Sequence, residues 1–173
     1  ISHSLLFSVL FALLFGWLIH RFNKTTSLVT RKEWQILLFF AFFTHVILDC
    51  FTVYGTQVFA PFSSYRVSWG SIAVVDPLYT IPLLLSLVIT GFIIRTKRTR
   101  RIVNYLGLAL STLYLLFTVY NKARVHNIFE HELKAQNIEV TRMMTSPTIF
   151  NNILWSCTAE ANDAYYVGLY SFY

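Results

Sequence analysis

Four apolar runs limit what this chain can fold into. They cover about residues 4–20, 34–53, 71–94 and 102–120. A helix crosses the hydrocarbon core of a bilayer with about 20 predominantly apolar residues. The first run is short and the other three are ample. None alternates apolar and polar residues with a period of two, which argues against a membrane β-barrel. The composition agrees: 55% of the 173 residues are hydrophobic and 13% charged, against about 25% charged in an ordinary soluble domain. The expected fold class is an all-α membrane bundle of four transmembrane helices with a small C-terminal α+β extramembrane appendage. The two parts are read as residues 1–120 and 121–173.

The net charge of +6 would suggest nucleic acid in a soluble protein. Here the bases gather at the ends of apolar runs. Arg21, Lys24, Arg31 and Lys32 follow the first run, and Arg95, Lys97, Arg98, Arg100 and Arg101 follow the third. The segment between the second and third runs holds only Arg66. Loops rich in Lys and Arg stay in the cytoplasm. The reading is therefore a topology signal, with the bilayer as partner and no nucleic acid. Residues 54–70, the N-terminus and the tail are expected on the extracytoplasmic side.

Beyond residue 120 the character changes. Residues 121–136 continue the fourth helix in polar form, 138–144 read as strand and 145–152 as turn. Residues 154–160 and 165–172 are β-prone, with Asn162, Asp163 and Ala164 as the hairpin turn between them. The tail is too small to bury a large core alone. The two cysteines, Cys50 and Cys157, lack metal-binding spacing and are read as free thiols.

Four polar residues stand out against this background. His45 and Asp49 lie in the second run at i, i+4, a spacing that puts both on one helix face. Ionisable groups within membrane segments are costly and usually functional. With the topology above, His3 at the edge of the first run and Asp76 at the start of the third fall on the same side. An imidazole and carboxylate set suits a divalent metal, zinc or manganese, and a site with open positions can activate water. Thr44 and Thr52 could support the ligands from behind. Each residue also has a plain reading: a structural His–Asp hydrogen bond, Asp76 as the cap of a helix whose first turn contains Pro77, and His3 as an interfacial residue. His20 reads as interfacial, and His126 and His131 as a solvated helix face.

Residues 54–70 carry Tyr54, Phe59, Phe62, Tyr65 and Trp69. They read as an interfacial aromatic belt or as a lid that contacts an amphiphilic substrate. Gln57 and Arg66 in this segment, and Tyr79 in the third run, are the candidate substrate contacts. No Gly-rich phosphate loop, nucleophile elbow or HExxH helix occurs.

The elements SHSLLF at 2–7, THVILDCFTVYGTQVFAPFS at 44–63, DPLYTIPLLL at 76–85 and SPTIFNNILW from 146 resemble the YdjM-type metal-dependent hydrolases of the bacterial inner membrane. The resemblance covers most of the chain and implies a multi-pass protein of the inner membrane with hydrolase activity. It implies His3, His45, Asp49 and Asp76 as candidate metal ligands; in the hydrolase reading Asp49 and Asp76 are also the expected catalytic carboxylates. The family pattern begins further upstream, with a Thr-His helix and a Pro-Asp-x-Asp segment, so the chain, which opens on Ile1, is expected to be N-terminally truncated. The competing expectation is a small transporter or a membrane scaffold whose His/Asp cluster only locks helices together.

Overall fold

The computed structural model describes residues 3–22, 29–161 and 164–173. It contains four helices, α1 (Leu5–Phe22), α2 (Arg31–Phe51), α3 (Pro77–Val88) and α4 (Lys97–Ala135), and three strands, β1 (Arg142–Pro147), β2 (Leu154–Ala161) and β3 (Ala164–Ser171). The chain divides into two compact units, Ile1–Trp69 and Gly70–Tyr173.

The first unit is a helical hairpin followed by a folded loop. Ser4 caps α1 through a hydrogen bond from the Phe7 amide to Ser4 Oγ (3.3 Å). A capping box starts α2: Thr30 Oγ1 accepts from the Glu33 amide, and Glu33 Oε2 accepts from the Thr30 amide at 2.7 Å. The two helices meet where α1 has no side chain. A Cβ added at Gly16 would lie 2.9 Å from both the N and Cα of Gln35. Gln35 Nε2 in turn donates to the Leu13 carbonyl (3.1 Å). Lipid tails are as apolar as leucine, so membrane helices associate through small residues and polar ties of this kind. Beyond α2, residues 52–69 fold back on themselves. Thr56 and Val67 form a β-bridge, and the Trp69 amide donates to the Cys50 carbonyl at 2.7 Å.

The second unit opens with Asp76 and Pro77. A residue before proline avoids the helical region, so α3 begins at Pro77 and residues 71–75 are not helical, although the apolar run starts at 71. Pro82 lies inside the helix, and the last turn, Ile89–Ile93, widens into a π-helix. α3 packs on α4 through a second small-residue contact: a Cβ at Gly107 would come within 2.5 Å of Ser86. Ser111 Oγ donates to the Tyr79 carbonyl (2.8 Å). α4 is a single helix of 39 residues. At 1.5 Å per residue it is about 58 Å long, roughly twice the hydrocarbon thickness.

The far end of α4 carries an antiparallel sheet in the order β1-β2-β3. β2 alternates as a half-buried strand should: Trp155, Cys157, Ala159 and Ala161 are buried, and the residues between them are not. Val125 of α4 is fully buried, and Phe129 meets Tyr170 edge to face at 6.4 Å. β1 starts later than the sequence suggests and takes in Thr145, Ser146 and Pro147. A proline is tolerated at the end of an edge strand, where its missing N–H removes little from the ladder. The expected turn residues Asn162 and Asp163 lie outside the described residues.

α1, α2 and α4 are long and apolar enough to cross a membrane, whereas the Pro77–Ile93 element is shorter. Within the second unit Asp76 is buried, and both its oxygens are used: Oδ1 accepts from the Leu78 amide (3.0 Å) and Oδ2 from the Tyr114 hydroxyl (2.8 Å). Asp76→Ala should therefore cost about 1–3 kcal/mol through the lost cap and the orphaned phenol. Tyr114→Phe should cost less. Thermal unfolding in detergent checks the ranking, and equal midpoints for wild type and Asp76→Ala would refute it.

Candidate metal centre

Three of the four residues singled out in the sequence come together. His45 and Asp49 project from one face of α2, and His3 stands two residues before α1 begins. The Nε2 atoms of His3 and His45 each lie 3.6 Å from the same oxygen, Asp49 Oδ2. The two imidazole rings are 5.2 Å apart, centre to centre, and tilted by 36°. One donor atom from each of the three residues falls within 4.8 Å of the others.

This register is set by helix packing. Gly16 lies against Gln35, Phe11 meets Phe42 edge to face at 6.2 Å, and His3 reaches Asp49. As numbers fall along α1 they rise along α2 in nearly equal steps, as two antiparallel helices with the same rise require. The loop adds a tie: the Leu5 amide donates to the Val58 carbonyl at 3.0 Å. This fixes the first residue of α1, and so the segment that holds His3.

The donor set fits a divalent metal. A separation of 3.6 Å is too long for an ordinary N–H···O hydrogen bond. Ligands about 2.0–2.2 Å from a shared ion sit about 3–3.5 Å from one another, so a small contraction would close the triad. Two imidazoles and one carboxylate form a known catalytic ligand set for zinc and for other divalent metals. His3 and His45 are more than half exposed and Asp49 is 30% exposed, so the donor atoms are open to solvent.

Asp76 belongs to the second unit, where Tyr114 and the α3 amide engage its carboxylate. Tyr79 also belongs to that unit, and its carbonyl accepts from Ser111. Gln57 and Arg66 lie in the loop of the first unit, with Arg66 Nη1 near the Gly55 carbonyl at 3.5 Å. The threonine hydroxyls do not support the ligand side chains. Thr44 Oγ1 donates to the Phe40 carbonyl (2.7 Å) and Thr52 Oγ1 to the Asp49 backbone carbonyl (2.7 Å). Sequence reasoning missed Tyr114, which stands in an apolar run with its hydroxyl as the sole hint of a polar partner.

If packing sets the site, then Gly16→Ala, which forces the helices apart about 20 Å from the ligands, should weaken zinc binding about tenfold while every ligand remains. Isothermal titration of the purified chain with zinc measures this. An unchanged affinity would mean that the register is fixed elsewhere.

The family model described as YdjM inner membrane protein matches residues 1–125, and the chain belongs to that family. No curated protein and no solved structure matches it.

Proposed function

We propose that this member of the YdjM inner membrane protein family is a metal-dependent hydrolase of the bacterial inner membrane, acting on an ester or phosphoester bond of an amphiphilic substrate. The observation that carries the reading is the convergence of His3 Nε2 and His45 Nε2 on one oxygen of Asp49. A zinc or manganese ion held by these three residues would supply a Lewis acid and a water of lowered pKa.

The chain's own groups define what the site can receive. The Asp49 carboxylate offsets the cationic charge, and the two imidazoles fix its direction of approach. The loop that anchors α1 exposes Tyr54, Phe59, Phe62, Tyr65 and Trp69, all five by more than half and Phe62 by 84%. These rings suit the apolar part of an amphiphile, and Gln57 and Arg66 in the same loop suit its polar or anionic head. The count of basic residues supports an extracytoplasmic site. It also supports α3, with its π-helical last turn, as the third of four crossings in a multi-pass chain. Asp76 and Tyr79 enter this reading only as expectations from the sequence.

His45→Ala and Asp49→Ala should each reduce a stoichiometric metal content to background in the purified full-length protein. Elemental analysis by mass spectrometry measures it directly. Equal metal in wild type and both variants would remove the proposal. Metal loss without a change in hydrolysis of a model phosphodiester would keep the site and remove the activity.

A further inference from the structure

Residues 95–101 present Arg95, Lys97, Arg98, Arg100 and Arg101 within seven positions, and all five are exposed. No acidic residue occurs between Asp76 and Glu130. Among the described residues none of the five bases lies within ion-pair distance of a carboxylate. The charge is therefore not neutralised by this segment's own neighbours in sequence, and it is available to an external anion. A topology signal needs only the charge, whereas here one of the bases, Arg100, is also held in place. Arg100 Nε donates to the Thr90 carbonyl at 2.8 Å, across the turn that joins the π-helical end of α3 to α4. Thr90 Oγ1, which donates to the Ser86 carbonyl at 2.7 Å, also lies 3.2 Å from Asn104 Oδ1 on α4. The Arg100 bond and this contact bring the ends of both helices together and place the basic segment.

The surroundings specify the kind of anion. Phe92 and Ile93 on the α3 side are 88% and 68% exposed. On the α4 side Ile102, Tyr105 and Leu106 are also exposed. A free phosphate would use the guanidinium groups alone, without the apolar side chains beside them. A nucleic acid would do the same. An amphiphile with a phosphate at the end of acyl chains uses both.

We propose that residues 95–101, together with Phe92, Ile93 and Tyr105, form a binding site for the phosphodiester headgroup of an anionic phospholipid. The arginines grip the phosphate oxygens, for which their planar fork of donors is suited. The apolar side chains on both helices take the first segments of the acyl chains. The site lies in the second unit and does not depend on the metal triad.

The test uses the full chain in neutral detergent. Native mass spectrometry counts the lipid retained from an equimolar mixture of phosphatidylglycerol and phosphatidylcholine, and thermal unfolding follows the effect of each lipid alone. Wild type should retain phosphatidylglycerol over phosphatidylcholine by about tenfold or more, and each neutralised base should lower the preference about fivefold. Arg98→Gln with Arg101→Gln should therefore abolish it, while the charge-conserving pair Arg98→Lys with Arg101→Lys should keep the part that comes from charge and lose the part that comes from the planar fork. If the glutamine pair does not unfold cooperatively, Arg98→Gln alone carries the test. Equal retention of the two lipids by wild type, or an undiminished preference in the glutamine variants, would overturn the proposal. So would stabilisation by millimolar inorganic phosphate, or by a single-stranded oligonucleotide, equal to that given by phosphatidylglycerol.

Discussion

The close approach of α1 to α2 at Gly16 is the contact on which the candidate site depends. With no side chain at that position, the backbone of Gln35 can come within reach, and the Gln35 amide secures the Leu13 carbonyl. Once one point of contact is fixed, the constant rise of two helices fixes every other. His3 therefore meets Asp49 as a consequence of packing about thirteen residues away along α1. The α3–α4 pair repeats the device at Gly107 and Ser86. In a solvent that gives helices no hydrophobic reason to associate, shape and a few polar ties have to do so.

The two acidic residues of the apolar segments illustrate how environment assigns a role. Asp76 is buried with a donor on each oxygen, a backbone amide and a phenol. Such a carboxylate is satisfied, and it links α3 to α4. Asp49 is partly exposed and faces two imidazoles that stand just beyond hydrogen-bond length. That arrangement is poor as a structural lock and well suited to a shared cation. The sequence shows both residues as aspartates in apolar runs; the distinction lies in their partners, which belong to other helices.

Local features were therefore legible, and of the non-local ones only the approach of His3 to His45 and Asp49 was. The apolar runs, the i, i+4 spacing of His45 and Asp49, the polar continuation of α4 and the alternation of β2 all follow from periods within one segment. The Tyr114–Asp76 bond joins positions 38 residues apart, and no pattern in either segment announces it. The hydroxyls of Thr44 and Thr52 are a subtler case. A threonine in an apolar helix can always return its proton to a carbonyl of the preceding turn, and here that bond takes the hydroxyl away from the Asp49 carboxylate. The sequence ends β1 too early because Ser146-Pro147 reads as a turn, while the edge of a sheet accepts it.

The unbroken length of α4 has a geometric consequence for the sheet at its end. Tyr114 holds α4 to Asp76, and Phe129 holds the sheet to α4, with no hinge between them. Each residue of an α-helix turns by about 100°. The azimuth of the sheet about the helix axis is thus set by a count of residues: one inserted between positions 114 and 122 would swing the sheet to another quadrant, whereas seven, close to two full turns, would nearly restore its heading and only lift it outward.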